Sequence, residues 1–289
     1  MKNNICINSS DFSTCCICGS GVLFSEEWGA NTCNNCYSVH SITIPTDEEL
    51  SAYYLSFNET YTGGGRESNR ERRQIKYAEK YLQLVKQWGK GTTLIDVGSS
   101  TNPFPNLAAV NGYDVCVCDY VSPKELLSTV RFVKGSLDDR RLPEIVGCEF
   151  DIVTAFAVIE HCRYPQIAVK NLVKLCKPGG ILILTTPLVG SFSDRNAAGR
   201  TAWFFPPEHL NLFSNVGMKA IFKRFEANYI HFSKFELTKL RWLLRYGLSF
   251  GEGVIGKALR KVLPVRYHKM KNTRLTKVQE IGIWVFIRC

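Results

Sequence analysis

The chain has 289 residues, 45% of them hydrophobic, which suits one large domain plus a small one and sets it apart from disordered chains. Its net charge of +10 is local: His231 to Cys289 carry thirteen Lys/Arg against three Asp/Glu, while the preceding 230 residues hold 23 of each sign. The basicity therefore speaks for one surface rather than for the whole protein, and no apolar run reaches the roughly 18 residues of a membrane span.

The start, "MKNNICINSSDF", is too polar for a secretory signal, so the expected location is cytoplasmic. Cys15, Cys18, Cys33 and Cys36 then form a C-x2-C…x14…C-x2-C arrangement. A two-residue gap lets both thiolates of a tight knuckle reach one ion, and Gly19 supplies a permissive turn. Two such knuckles complete a tetrahedral set of four sulfurs, which suits structural zinc. A segment of about 35 residues buries too little core to fold alone, so a metal accounts for its stability. A redox dithiol is the competing reading. Cys16 is expected to be a bystander, since pairing it with Cys18 leaves a single spacer. The remaining cysteines, such as Cys116, Cys118 and Cys176, fall in expected core strands and helices, as small apolar residues do in a reducing compartment.

The expected division is a zinc-ribbon-like module over 1–45, a linker and lead-in helix over 46–91, and a large domain over 92–289. The linker contains "TGGGRE". In the lead-in helix Ile75, Ala78, Leu82 and Val85 recur at helical spacing, and Gly89 stops the run. An apolar strand from Thr92 to Val97 delivers Asp96 and Gly98 at its end. A second strand, "YDVCVCD", ends in Asp119; a third, "RFVKG", runs into Leu137 and Asp138. The fourth, "FDIVTAFAV", ends at Glu160 and His161. A helix from about Tyr164 to Cys176 and the turn "KPGG" lead to the fifth strand, "ILILTTP". Strands near "NYIHFSKF" and "IGIWVFI" would complete a seven-stranded sheet, the last entering antiparallel. The fold class is thus α/β, a Rossmann-like, mostly parallel sheet with helices on both faces and a small ribbon in front. In such a sheet the ligand crevice lies outside the carboxyl ends of the strands, where Asp96, Asp119, Asp138, Glu160 and His161 all fall. Asp119, 23 residues past Asp96, stands where a carboxylate can hold ribose hydroxyls.

The segments "LIDVGSS", "VCVCD", "GSLDD", "FDIVTAFAVIEHCRYPQIAVKNLVKLCKPGGILILTTP" and "PPEHLNLFS" resemble class I S-adenosylmethionine-dependent methyltransferases of the ubiquinone and sugar methyltransferase-like branch. The likeness covers roughly Leu94 to Ser214. The cysteine module is similar to the zinc-binding front end of some sugar methyltransferases. The resemblance implies S-adenosyl-L-methionine as cofactor, with Asp96, Gly98 and Ser100 around its methionine part, Asp119 on the ribose, and Leu137 and Asp138 at the adenine. The family pattern D-x-G-x-G-x-G keeps only Gly98 here; Ser100 and Asn102 replace the later glycines, and Asn tolerates a left-handed backbone better than most residues.

Methyl transfer to a hydroxyl needs a base, and His161 and His209 are the candidates, with Glu160 beside the first. Helix capping or packing is the competing role for each histidine. An Asn/Asp-Pro-Pro-aromatic clamp for exocyclic amines is missing after the fourth strand. The expected function is O-methylation of a small-molecule or glycan acceptor. The alternatives are an RNA methyltransferase using the ribbon and the basic segment, and a catalytically inactive interaction module. The aromatic loop Trp203 to Phe205 would wall a one-sugar pocket. The basic, partly amphipathic insertion at about 237–272 suits an anionic or lipid-phosphate-linked acceptor or peripheral contact with an anionic membrane, against the plainer reading of a packed helix with a solvated face.

Overall fold

The computed structural model describes residues 14–21, 23–25, 30–46, 48–50, 52–53, 67–123, 125–189, 207–236 and 280–289. The aromatic loop and the basic insertion lie outside them. Three short strands come first: β1 (Leu23–Ser25), β2 (Ala30–Thr32) and β3 (Val39–Ser41). Helix α1 (Glu67–Trp88) leads into β4 (Thr93–Val97), followed by α2 (Phe104–Val110), β5 (Asp114–Asp119) and β6 (Arg131–Lys134). Then come α3 (Leu142–Val146), β7 (Phe150–Phe156), a 3-10 turn (Ile159–His161), α4 (Pro165–Leu175) and β8 (Cys176–Pro187). A two-residue strand β9 (Asn211–Leu212), α5 (Asn215–Lys223), β10 (Ala227–Glu236) and β11 (Glu280–Arg288) follow among the described residues.

The large sheet runs β10-β11-β8-β7-β4-β5-β6. Its five central and right-hand strands are parallel, and β11 enters antiparallel to both β8 and β10, as the sequence led us to expect. Period-two alternation sends one set of side chains to each face. Ile95, Val97, Val153, Ala155, Leu182 and Leu184 meet α4 and α5 on one side, at Leu172, Met218 and Phe222. Leu94, Val115, Ile152 and Ile183 meet α1 and α2 on the other, at Ala78, Leu82, Val85 and Phe104. Both faces are dry, which is why these strands read as continuous apolar runs.

Two local features differ from expectation. Ile75 is half exposed, and the α1 stripe runs instead through Ala78, Tyr81, Leu82 and Val85; Ile75 lies about one turn before the buried stretch. The fifth strand begins at Cys176, so "KPGG" lies inside it, where the pairing with β7 shifts register between Phe150 and Ile152 and Gly179 takes φ +75°. Gly89 is required by contact, because a Cβ there would sit 2.5 Å from Ile152 Cδ1.

A second sheet, β1-β2-β3-β9, joins the cysteine module to a segment some 170 residues later in the chain. The module also shares the main core: Cys15, Ile17, Cys33 and Cys36 pack in the same cluster as Met218, Ile221 and Phe222.

Candidate active site

The loop after β4 is built on a left-handed turn. Gly98 has φ +75° and donates to the Cys118 carbonyl at 2.8 Å; a Cβ there would stand 2.6 Å from Val158. Ser100 is left-handed too, at φ +49°, which costs a non-glycine residue about 1–2 kcal/mol. That position, and not Asn102, carries the unusual backbone. Asn102 instead accepts from the Phe104 N–H at 3.0 Å and so starts α2, because its short amide can serve a turn in place of a cap. The strained Ser100 points its N–H at Asp119 Oδ2, 2.8 Å away, while Tyr120 N–H takes Oδ1 at 2.6 Å. Asp119 is thus oriented by its own neighbours, and each oxygen keeps a lone pair for a ligand hydroxyl. Burial raises its pKa, and the backbone donors offset part of that rise.

Asp96 lies inside β4, fully covered, and accepts from Thr154 Oγ1 at 2.6 Å across the parallel pair. Burial pushes its pKa up to about 7, and the Thr154 hydroxyl opposes the shift. Leu137 packs into the core while its carbonyl accepts from Asn171. The Asp138 carboxylate accepts from the backbone N–H groups of Arg163 at 2.8 Å and Tyr164 at 3.1 Å, fixing the turn before α4. The phenol of Tyr120 donates to Ser136 Oγ at 2.7 Å or accepts from it, so its ring bridges the ends of β5 and β6.

The three remaining candidates come together. One ligand atom each from Glu160, His161 and His209 lies within 4.8 Å of the others, a set that could also hold a metal ion. The two imidazoles meet edge to face at 4.7 Å, and His161 Nε2 stands 4.0 Å from Glu160 Oε1. His161 Nδ1 lies 2.9 Å from the Glu208 carbonyl. A carbonyl only accepts, so the proton sits on Nδ1 and Nε2 carries the free lone pair. Burial, then His209, holds the His161 pKa down at about 3. Burial lifts Glu160 to about 8, so near neutral pH it is mostly protonated. The turn carrying these groups starts at Ala157, left-handed at φ +57° and tied to the Thr185 carbonyl at 2.8 Å.

Several residues of this region escaped sequence reasoning. Among the described residues, most of the buried side-chain oxygens without a hydrogen bond of ordinary geometry gather here: Ser99 Oγ, both Glu160 oxygens, and the hydroxyls of Thr185 and Thr186. Tyr81 of α1 approaches Thr185, and Thr186 approaches Glu160, but these contacts ease the deficit only in part. All lie past or at the carboxyl ends of β4, β7 and β8. Buried polar groups are normally satisfied, so this cluster is a candidate place for a polar ligand. Hydroxyl and carboxyl groups around a glycine turn fit a cationic adenosyl cofactor. The signals were available in sequence as single polar residues within or closing apolar strands, such as Thr154 and Thr185-Thr186.

The four cysteines also converge. Cys15 and Cys36 sulfurs are 3.7 Å apart, Cys18 and Cys33 3.5 Å, and all four lie within 4.8 Å of one another. Bonds of about 2.3 Å on a tetrahedron put sulfurs about 3.8 Å apart, so this set fits zinc. The knuckles repeat one turn: Gly19 N–H donates to the Cys15 carbonyl and Tyr37 N–H to that of Cys33, and both residues have positive φ. The Cys15 hydrogen bond draws Cys36 down to about 4. Cys16 stands outside the set, 3.3 Å from His40 Nδ1.

This geometry has counterparts. The chain is 30% identical over 133 residues to the tRNA U34 carboxymethyltransferase of Syntrophotalea carbinolica, spanning 40% of this chain and 41% of that protein. It is 26% identical over 216 residues to the ubiquinone biosynthesis O-methyltransferase of Coxiella burnetii, across 69% of this chain and 75% of that one. The crystal structure of the [4+2]-cyclase SpnF superposes with a TM-score of 0.52 at 14% identity, covering 85% and 97% of the two chains; that likeness concerns the fold alone. A family model described as a methyltransferase domain matches residues 69–243. With that match and the seven-stranded sheet in place, the chain belongs to the class I S-adenosylmethionine-dependent methyltransferase family.

Proposed function

We propose that this protein transfers a methyl group from S-adenosylmethionine to a hydroxyl of a small-molecule or glycan acceptor. The observation that carries this reading is the Glu160, His161 and His209 cluster, in which Nε2 of His161 is unprotonated and stands 4.0 Å from Glu160 Oε1. S-adenosylmethionine, when bound, supplies a methyl group already activated on a sulfonium. Asp119 would hold the ribose hydroxyls, Asp96 and Ser100 would border the methionine part, and Leu137 and Asp138 the adenine. Alignment then supplies much of the rate, with about 7–11 kcal/mol available from effective molarity. His209 would receive the acceptor's hydroxyl proton, and neutral His161, tied through Nδ1–H to the Glu208 carbonyl, would hold that ring edge-on. Protonated Glu160 would avoid placing a second negative charge beside a forming alkoxide.

The likeness to an O-methyltransferase over most of both chains supports a hydroxyl acceptor. The basic stretch from His231 to Cys289 supports an anionic one, such as a phosphate-linked sugar. Zinc in the four-cysteine site is part of the same proposal, as is the division into a front module, a lead-in helix and a transferase domain. Among the described residues no helix is long and apolar enough to cross a membrane.

The deciding experiment incubates labelled S-adenosylmethionine with fractionated cell extract. Label in nucleotide sugars, lipid-linked sugars or other small hydroxyl compounds supports the reading. Label in nuclease-sensitive RNA replaces it with the reading favoured by the tRNA-acting relative and the basic segment. Failure of the protein to bind the cofactor at all would leave a methyltransferase fold used as an interaction module.

A further inference from the structure

The segment that carries His209 is held from two sides, residue by residue. Glu208 Oε2 accepts from the Tyr53 hydroxyl at 2.7 Å, while its carbonyl accepts from His161 Nδ1. The Leu210 carbonyl accepts from Ser41 N–H at 2.8 Å, while its own N–H donates to the Glu160 carbonyl at 2.9 Å. Asn211 Oδ1 accepts from His40 Nδ1 at 3.1 Å, while its Nδ2 donates to the Cys162 carbonyl at 2.6 Å. Leu212 pairs with Val39 in β3, and Ser214 bonds Ser38 Oγ and the carbonyl of Cys36. At 208, 210 and 211 a single residue therefore joins the N-terminal part of the chain to the turn bearing Glu160 and His161.

One of these links, through His40, ends on the sulfurs. The His40 ring lies 3.4 Å from Cys15 Sγ through Nε2 and is buried. The small sheet offers little else to keep it ordered: its strands are two or three residues long, and the apolar cluster on it holds Ala30, Val39 and Leu212. Strands this short need a further constraint; Ile17 in the main core supplies part of it, and the four-sulfur set ties the two knuckles to each other.

We propose that Asn211 is a positioning residue coupling metal-dependent order in the cysteine module to Glu160, His161 and His209. This rests on the zinc and acceptor-site readings above, but its test needs no known acceptor. Asn211 touches no reacting atom. It sets where His209, two residues before it, stands against His161, by fixing β9 to β3 on one side and to Cys162 on the other.

The test measures amide hydrogen exchange on the full chain, with metal content determined, before and after stripping by a chelator under reducing conditions. Stripping should speed exchange in peptides covering 208–214 and 159–162 by roughly tenfold or more, because both lose their outer anchor. Peptides covering β4 and β5 should be unchanged, and calorimetric affinity for S-adenosylmethionine should stay within about twofold. Loss of protection over 14–41 with 159–162 as protected as before would overturn the coupling; so would a metal-free protein, as purified, with full protection at 208–214. Asn211→Ala that retains its metal should speed exchange at 159–162 and, once an acceptor is known, lower kcat far more than KM. Wild-type protection there in that variant would remove Asn211 from the role. If that variant folds poorly, the stripped wild-type protein decides alone. A chain that methylates nothing offered but shows the exchange coupling would refute the acceptor reading and keep this one.

Discussion

His161 donates its Nδ1–H to the Glu208 carbonyl, 2.9 Å away, and thereby presents a bare Nε2 to the site. A backbone carbonyl cannot donate in return, so the bond selects one tautomer and holds the ring plane. The cost of burying an imidazole is lowered because that imidazole stays neutral.

Removal of the partner ring should separate chemistry from binding. His209→Ala is expected to lower kcat by about 10²- to 10⁴-fold, the usual range for a general base, while the calorimetric affinity for S-adenosylmethionine stays within about twofold. Equal losses in both quantities would mean that His209 packs the cofactor and does not serve the acceptor.

Cofactor affinity should depend on Asp119. Asp119→Ala removes an acceptor for ligand hydroxyls and frees the Ser100 and Tyr120 amides. The expected weakening is about 1.5–3 kcal/mol, measured by calorimetry. Wild-type affinity in this variant would remove Asp119 from the ribose.

The two left-handed residues of the loop predict opposite outcomes. Ser100→Gly relieves an L-residue at φ +49° and should stabilise the fold by about 0.5–1 kcal/mol, net of glycine's entropy. Gly98→Ala brings a Cβ to 2.6 Å from Val158 and should destabilise by about 2 kcal/mol or more. Thermal unfolding of both variants checks the pair, and a stabilised Gly98→Ala would contradict the turn.

Stability should fall as pH rises from about 6.5 to 8. Asp96 and Glu160 have folded pKa values near 7 and 8, above their ordinary 3.8 and 4.5. A raised carboxyl pKa means that the folded state holds its proton more tightly, so stability present at low pH is lost as pH climbs through the folded value. His161 acts with the opposite sign, but only below its ordinary 6.5. Glu160→Gln should flatten much of the decline, since a tenfold difference in proton affinity between the folded and unfolded chain is worth about 1.4 kcal/mol. A wild-type unfolding midpoint that rises over this window would refute a neutral Glu160.

Metal analysis of protein purified without added zinc should give one zinc per chain. Cys33→Ser should lose it, and Cys16→Ser should keep it, since Cys16 stands outside the four-sulfur set. Equal metal in both variants would refute that assignment.

The sheet and both its faces were legible because burial on two sides leaves continuous apolar runs, and the four cysteines because their spacing is short and repeated. The local roles in the cofactor loop were less so. Asn102 has the composition of a left-handed residue yet makes the turn that leads into α2, and Ser100 takes the strained backbone with its N–H on Asp119. Thr154 reads as a blemish in an apolar strand until its hydroxyl is seen on Asp96. The pairing of His161 with His209, and of β9 with β3, joins residues far apart in the chain through a two-residue strand without any periodicity to reveal it.

The position of β11 between β8 and β10 bears on how the molecule is made. Ile281–Ile287 pairs with Ile181–Pro187, and Trp284 is fully covered. While the chain is being synthesised, β8 therefore waits, with Leu182, Ile183 and Leu184 along an open margin, until residues 280–288 have left the ribosome. The closing strand is a late arrival with about a hundred residues between it and its partner, which slows pairing and lengthens exposure. A nascent or truncated chain lacking it offers that margin to other chains, so premature termination before residue 280 should yield aggregate and not a smaller soluble enzyme.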